Sequence, residues 1–344
     1  MQPSVLAPVK IVAVSTHLPN MILSNEELAA IFDGWSAEKI YEKTGIRNRR
    51  IAEDDETALD LGTAAAEKLF ATGIIAREEI DYLIFCTQAA DYILPTSACV
   101  MQHRLGLKKS VGALDITLGC SGFVYGLSLA SGLISGGMAS KILLVTADTY
   151  SKFIHPRDRS VRTLFGDGAA ATLIARTTLG DSGAMGHFVF GTDGSGAHDL
   201  IVETGGSRLT KTPQTAEEKE DDSGNIRSRD NLYMNGGAVM NFTLREVPAM
   251  FAQLKLNAEL QTEDFDFVIM HQANLFMLEA LRKKLKIGVE QTPYYFEEIG
   301  NTVSSTIPFV LESMYGRQLA APGKKAALLG FGVGLSWAGC VLEF

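Results

Sequence analysis

Three residues of this 344-residue chain have types and settings suited to joint chemistry: Cys120, His271 and Asn301. Cys120 stands in GALDITLGCSGFVYGL, after an apolar run that reads as a strand and at the first turn of a stretch that reads as a helix. Unpaired N–H groups and the dipole at a helix start favour an anion, which predicts a stabilised thiolate there. Gly119 and Gly122 permit a sharp turn and close approach of a substrate backbone or thioester. An elbow of this kind presents its sulfur as a nucleophile. The competing reading of any one cysteine is a small buried residue. Cys86 and Cys340, inside apolar strands, fit that reading, and Cys99 starts a helix without glycine flanks.

His271 ends the apolar run DFVIM and opens the turn HQAN. Strand carboxyl ends are where open α/β sheets hold functional groups. His17, His103, His155, His187 and His198 have no such setting. Asn301 lies in GNTVSSTIP, a Gly-Asn turn ahead of a helix started by Pro308, and Asn in a turn usually serves the backbone. Together, a Cys, a His 151 residues on and an Asn 30 further supply a nucleophile and two hydrogen-bond donors.

The elements that must position these residues come in two copies. REEIDYLIFCTQAA (77–90) and TEDFDFVIMHQAN (262–274) share one shape at an offset of 185 residues, with Asp81 on Asp266 and Cys86 on His271. FGDGAAATLIA (165–175) matches FGVGLSWAGCVLEF (331–344), and KILLVTAD (141–148) matches KKAALLGF (324–331). Short apolar runs such as 10–16, 82–87 and 142–146 read as buried strands, and 57–72 and 275–285 as helices. This is a layered, duplicated α/β pattern. The expected halves are residues 1–180, carrying Cys120, and 181–344, carrying His271 and Asn301, with a Gly- and Thr-rich link near 177–196. The segment 122–134 is apolar almost all round, which predicts a central helix between sheets, ended at Gly136-Gly137. The polar stretch 210–230 reads as a solvated loop, with a flap over a pocket as the other possibility.

Composition narrows the function classes. Hydrophobic residues make up 46% and charged residues 21%, a globular balance long enough to need no disulfide or metal staple. A net charge of -9, from 31 Lys+Arg against 40 Asp+Glu, argues against a broad nucleic-acid surface. Apolar stretches are broken before they reach membrane-spanning length. The opening MQPSVLAPVKIVAVSTHLPN lacks the pattern of a signal peptide, so a cytoplasmic protein with free thiols is expected.

The chain resembles the thiolase-fold condensing enzymes, and most closely the β-ketoacyl-acyl-carrier-protein synthase III family, over essentially its whole length. The matching segments are KTGIRNRRIA (43–52), ILPTSAC (93–99), DITLGCSGFVYGL (115–127), FGDGAAA (165–171), HQAN (271–274), GNTVSSTIP (300–308) and FGVGLSWAGCVLEF. The resemblance implies a five-layered αβαβα fold, a homodimer and a Cys120–His271–Asn301 triad. It further implies that an acyl-CoA loads Cys120, and that malonyl-acyl-carrier protein then loses CO2 and condenses with the acyl group. CoA is then a substrate carrier, and neither a metal nor a redox cofactor is expected. The acyl oxyanion would rest on the N–H groups of Cys120 and Val333.

Other implied sites depart from the family pattern. The Trp that would stack on the adenine of CoA is replaced by Lys39, with Trp35 one turn earlier. Arg159 and Lys43 keep charge where the family contacts the nucleotide, and Leu94 falls among the implied substrate-binding positions. Phe276 replaces an Arg used in carrier-protein docking, leaving Arg282, Lys283 and Lys284 to steer an acidic partner. Arg47, Arg49, Arg50 and Asp167 read as structural. The alternative within the fold is an acyltransferase of secondary metabolism that moves an unusual or longer acyl group without decarboxylation. A thiolase proper would need a second Gly-flanked Cys where Cys340 sits in a strand, and a non-catalytic subunit is disfavoured because all three site residues are present.

Overall fold

The computed structural model describes residues 9–177 and 184–344. The first eight residues and the expected boundary at 180/181 lie outside the described residues. Two sheets carry the architecture. The first has five strands in the order Val9–His17, Gly168–Arg176, Lys141–Asp148, Tyr82–Cys86 and Gly112–Ile116. The second has four, in the order Met185–Thr192, Ser336–Glu343, Lys325–Gly332 and Phe267–Met270.

Apart from Gly112–Ile116, which has no counterpart among the described strands of the second sheet, the pairings repeat. Tyr82–Cys86 runs parallel to Lys141–Asp148, as Phe267–Met270 runs parallel to Lys325–Gly332. Both partners then pair antiparallel with the next strand in their sheet. Even a capping carboxylate recurs. Asp81 accepts from the backbone N–H groups of Ser140 and Lys141 at 2.9 and 3.1 Å, and Asp266 accepts from that of Lys325 at 2.9 Å. Tyr82–Cys86 and Phe267–Met270 are apolar along their length because helices cover both faces of the sheets there.

Five layers result. Ala58–Ala71 covers the outer face of the first sheet, and Gly236–Ala258 that of the second. Between the sheets lie Gly122–Ser135 and Thr306–Gly316, each touching strands of both. The middle helix is less enclosed than its composition predicts. Phe123, Val124, Leu127, Ala130 and Ile134 are buried, but Leu129 is 44% exposed, so one apolar edge faces outward. The second helix begins at Thr306, two residues before Pro308.

The polar stretch 210–230 is solvated yet anchored. It forms a small hairpin, Lys219–Glu220 with Ile226–Arg227, whose Arg227 pairs with buried Asp158 at 3.0 Å and with Asp221 at 2.9 Å. No residue of this hairpin lines the cavity described below.

Candidate active site

Cys120 follows the strand Gly112–Ile116 and precedes the helix that starts at Gly122, with Ser121 at the cap. The turn is pressed against the second sheet. Ser121 and Ser336 hydroxyls meet at 2.6 Å, and a Cβ added at Gly332 would lie 2.8 Å from Cys120 Cβ and 2.9 Å from Sγ. Only a residue without a side chain fits there. His271 sits one residue past the strand Phe267–Met270, its N–H donating to Leu329 O at 2.8 Å.

Asn301 is held by a different device. Its N–H donates to Leu164 O at 2.9 Å, and its carbonyl accepts from Gly166 N–H at 3.0 Å. The FGDG segment is therefore the clamp for the GNT turn. A Cβ at Gly166 would come within 2.1 Å of Ile299 O, and Gly300 has φ +76°, so both turns require glycine. Asp167 braces the same clamp, accepting from the N–H groups of Ala52 at 2.8 Å and Ser151 at 3.0 Å. Arg49, fully buried, donates to Thr163 O at 2.9 Å. Both have the structural roles expected of them.

Cys120, His271 and Asn301 all line one cavity of about 220 Å³, walled mostly by apolar side chains including Phe165, Met234, Val239, Met277 and Phe331. Asn301 Oδ1 accepts from Val303 N–H at 2.9 Å, which leaves the Nδ2 amide protons for the cavity. His271 Nδ1 is 2.8 Å from Thr306 Oγ1, and the ring meets Phe331 edge to face at 5.6 Å. Burial pushes His271 down to about 3, so the imidazole is neutral.

The resting thiolate expected at the helix start is corrected by this environment. Burial, and then the charge of Asp148, push Cys120 up to about 12; the N–H groups of Cys120 and Val333 pull the other way. Desolvation of a sulfur in an apolar wall outweighs two backbone dipoles, so the resting form is the thiol. Those same two N–H groups are the ones expected to hold an acyl oxyanion, and they lie against Sγ. Asp148, itself pushed up to about 7 by burial, accepts from Gln88 N–H at 2.8 Å and from the Ser304 hydroxyl at 2.5 Å. It ties the first sheet to the GNTVSS turn.

The remaining expected positions divide. Phe276, 68% exposed, lies on the cavity wall at its rim. Lys43 and Arg159 are not on that wall. They gather with Lys39 around Trp35, at 5.7, 4.9 and 4.9 Å from its ring, and Arg159 also donates to Ser223 O at 2.6 Å. Leu94 is 79% exposed and outside the cavity. Arg282 is a poor steering charge, because its guanidinium is engaged bidentately by Glu279 at 2.7 and 3.0 Å; Lys283 and Lys284 stay exposed. Thr306 and Asp148 are site residues that the sequence does not single out. Thr306 stands within GNTVSSTIP, but spacing alone does not say which side chain meets His271.

Comparison with known proteins agrees with this geometry. The profile of 3-oxoacyl-[acyl-carrier-protein (ACP)] synthase III matches residues 114–194, and that of its C-terminal part matches 256–344. The β-ketoacyl-[acyl-carrier-protein] synthase III of Caldanaerobacter subterraneus subsp. tengcongensis is 33% identical over 334 residues, 97% of either chain. A crystal structure of a 3-oxoacyl-(acyl-carrier-protein) synthase III superposes with TM-score 0.96 at 53% identity, covering 98% of this chain and 100% of that one. The 3-oxoacyl-(acyl-carrier protein) synthase of Burkholderia xenovorans LB400 gives 0.89 at 37% identity, covering 98% and 94%. A duplicated αβαβα scaffold, a cysteine elbow facing a His and an Asn, and likeness over nearly the full length converge: the chain belongs to the 3-oxoacyl-[acyl-carrier-protein] synthase III family.

Proposed function

We propose that this enzyme joins an acyl-CoA to malonyl-acyl-carrier protein by decarboxylative Claisen condensation through an acyl-Cys120 intermediate. In the first half, Sγ attacks the thioester carbonyl, CoA leaves, and the thiol proton ends on CoA. One thioester replaces another, so the step is nearly balanced and depends on orientation. In the second half, the malonyl C–CO2 bond breaks and the electron pair enters the thioester as an enolate. His271 and Asn301 Nδ2 donate hydrogen bonds to the enolate oxygen. The carbon then attacks the acyl-Cys carbonyl, the sulfur departs, and it regains a proton from solvent. No cofactor takes part in these steps.

The observation that carries this reading is the common wall: nucleophile, imidazole and an Asn amide fixed as a donor border one apolar cavity. Low polarity there strengthens hydrogen bonds to a developing charge, and each donor contributes a factor of roughly 10²–10³ in rate. The rim bearing Phe276 lies on the helix Leu275–Leu285, whose exposed Lys283 and Lys284 are suited to an acidic carrier protein.

A homodimer belongs to the same proposal. Gly112–Ile116 is a free sheet edge in the single chain, and Ile93 (93% exposed), Leu94 and Leu129 are apolar residues open to solvent. No described helix is long and apolar enough to cross a membrane, which is compatible with a cytoplasmic enzyme.

Mass spectrometry after incubation with acyl-CoA should show one acyl adduct, on Cys120, and CO2 should appear when malonyl-acyl-carrier protein is added. His271→Ala should keep the adduct and lose CO2 release by about 10²-fold or more. An adduct on another cysteine, or product without CO2, would replace condensation with a different acyl transfer.

A further inference from the structure

A neutral imidazole has one N–H, so the nitrogen that carries it decides whether His271 can donate into the cavity. Nδ1 meets Thr306 Oγ1 at 2.8 Å, and Thr306 is not on the cavity wall that His271 lines. The same hydroxyl also lies 3.2 Å from Val303 O. Of the two acceptors open to the hydroxyl, the ring nitrogen is the nearer and, as an imidazole nitrogen, the stronger base, so it is the better partner and the carbonyl the poorer. The nearby Val303 N–H cannot serve Nδ1, because it donates to Asn301 Oδ1 at 2.9 Å. A buried Thr at the start of the helix Thr306–Gly316 has no capping duty, since Ser305 is the cap residue.

We propose that the Thr306 hydroxyl donates to His271 Nδ1 and thereby keeps the single ring proton on Nε2, beside the Asn301 amide. Thr306 is a positioning residue, acting through His271 without touching the reacting atoms. The competing influence is the Val303 carbonyl, which favours a proton on the ring nitrogen next to it. With the hydroxyl gone, that carbonyl would draw the proton to Nδ1 and turn Nε2 into an acceptor. An acceptor repels an enolate oxygen. The inference rests on the decarboxylation reading for its rate consequence, though not for the tautomer itself.

Nitrogen-15 NMR of the full chain with labelled histidine reads the tautomer directly. Wild type should carry Nε2–H at His271, and Thr306→Val should carry Nδ1–H. In T306V the kcat for CO2 release from malonyl-acyl-carrier protein should fall about 10²-fold with little change in KM. Acylation of Cys120 should change by less than about threefold, and Thr306→Ser, which keeps the donor, should restore CO2 release. Nδ1–H in wild type overturns the proposal without any variant. So does T306V that loses acylation and CO2 release equally with its tautomer unchanged. Wild type showing Nε2–H while releasing no CO2 would uphold the tautomer assignment and sink the condensation reading instead.

Discussion

At Cys120 two electrostatic effects compete, and their balance decides how the nucleophile is stored. The helix start and two backbone N–H groups favour a thiolate, while burial and Asp148 favour the thiol and win. Storage as thiol keeps the sulfur unreactive until a thioester enters and accepts the negative charge. Iodoacetamide alkylation of Cys120 should therefore rise about tenfold per pH unit above about pH 8, once Asp148 is ionised, without levelling through about pH 10. A plateau near neutral pH would show that the dipole prevails. His271 behaves in the complementary sense. Its depressed value keeps it neutral throughout that range, so an inflection near neutral pH would come from Asp148 and not from the imidazole.

Among the elements, contact between the two sheets is made through glycines. Gly332 ends the buried strand Lys325–Gly332 against the Cys120 turn, where an added Cβ would lie 2.8 Å from Cys120 Cβ. Gly332→Ala should cost about 1–3 kcal/mol in urea denaturation, as overpacking does, and should slow acylation by displacing Sγ. Gly316→Ala is the contrast. Gly316 closes the helix Thr306–Gly316 with open space where a Cβ would go, so that change should leave acylation intact and stability equal or up to about 0.5 kcal/mol higher. If both variants acylate normally, the sheet-to-sheet contact does not position the sulfur. The FGDG clamp works by the same logic, since Gly166 and Gly300 let two loops approach close enough to exchange backbone hydrogen bonds around Asn301.

For the molecule as a whole, the question is what covers the edge strand Gly112–Ile116 and the apolar residues around it. That strand leads directly into the Cys120 turn, so a partner chain pairing with it would stiffen the site's approach. Sedimentation velocity should give twice the chain mass, and Leu94→Asp should shift the population toward monomer by placing a charge in a desolvated contact. A wild-type monomer at micromolar concentration would remove the dimer from the proposal.

Much of this architecture is local information. Strands such as Tyr82–Cys86 and Phe267–Met270 are short apolar runs between turn residues, and their duplication shows in Asp81 and Asp266, which perform one capping task 185 residues apart. The glycine-flanked cysteine likewise announces itself, because a tight turn and a nucleophile make demands on adjacent residues. What tertiary structure alone decided are properties of the surroundings: the thiol form of Cys120, the neutral ring of His271, the aim of the Asn301 amide, the engagement of Arg282 and the place of Thr306. Protonation follows from desolvation and from charges brought near by folding. Thr306 meets His271 across 35 residues of sequence, and Ser336 meets Ser121 across 215. Separations of that length leave no trace in local spacing, since only the packed sheets set which side chains share a low-dielectric space.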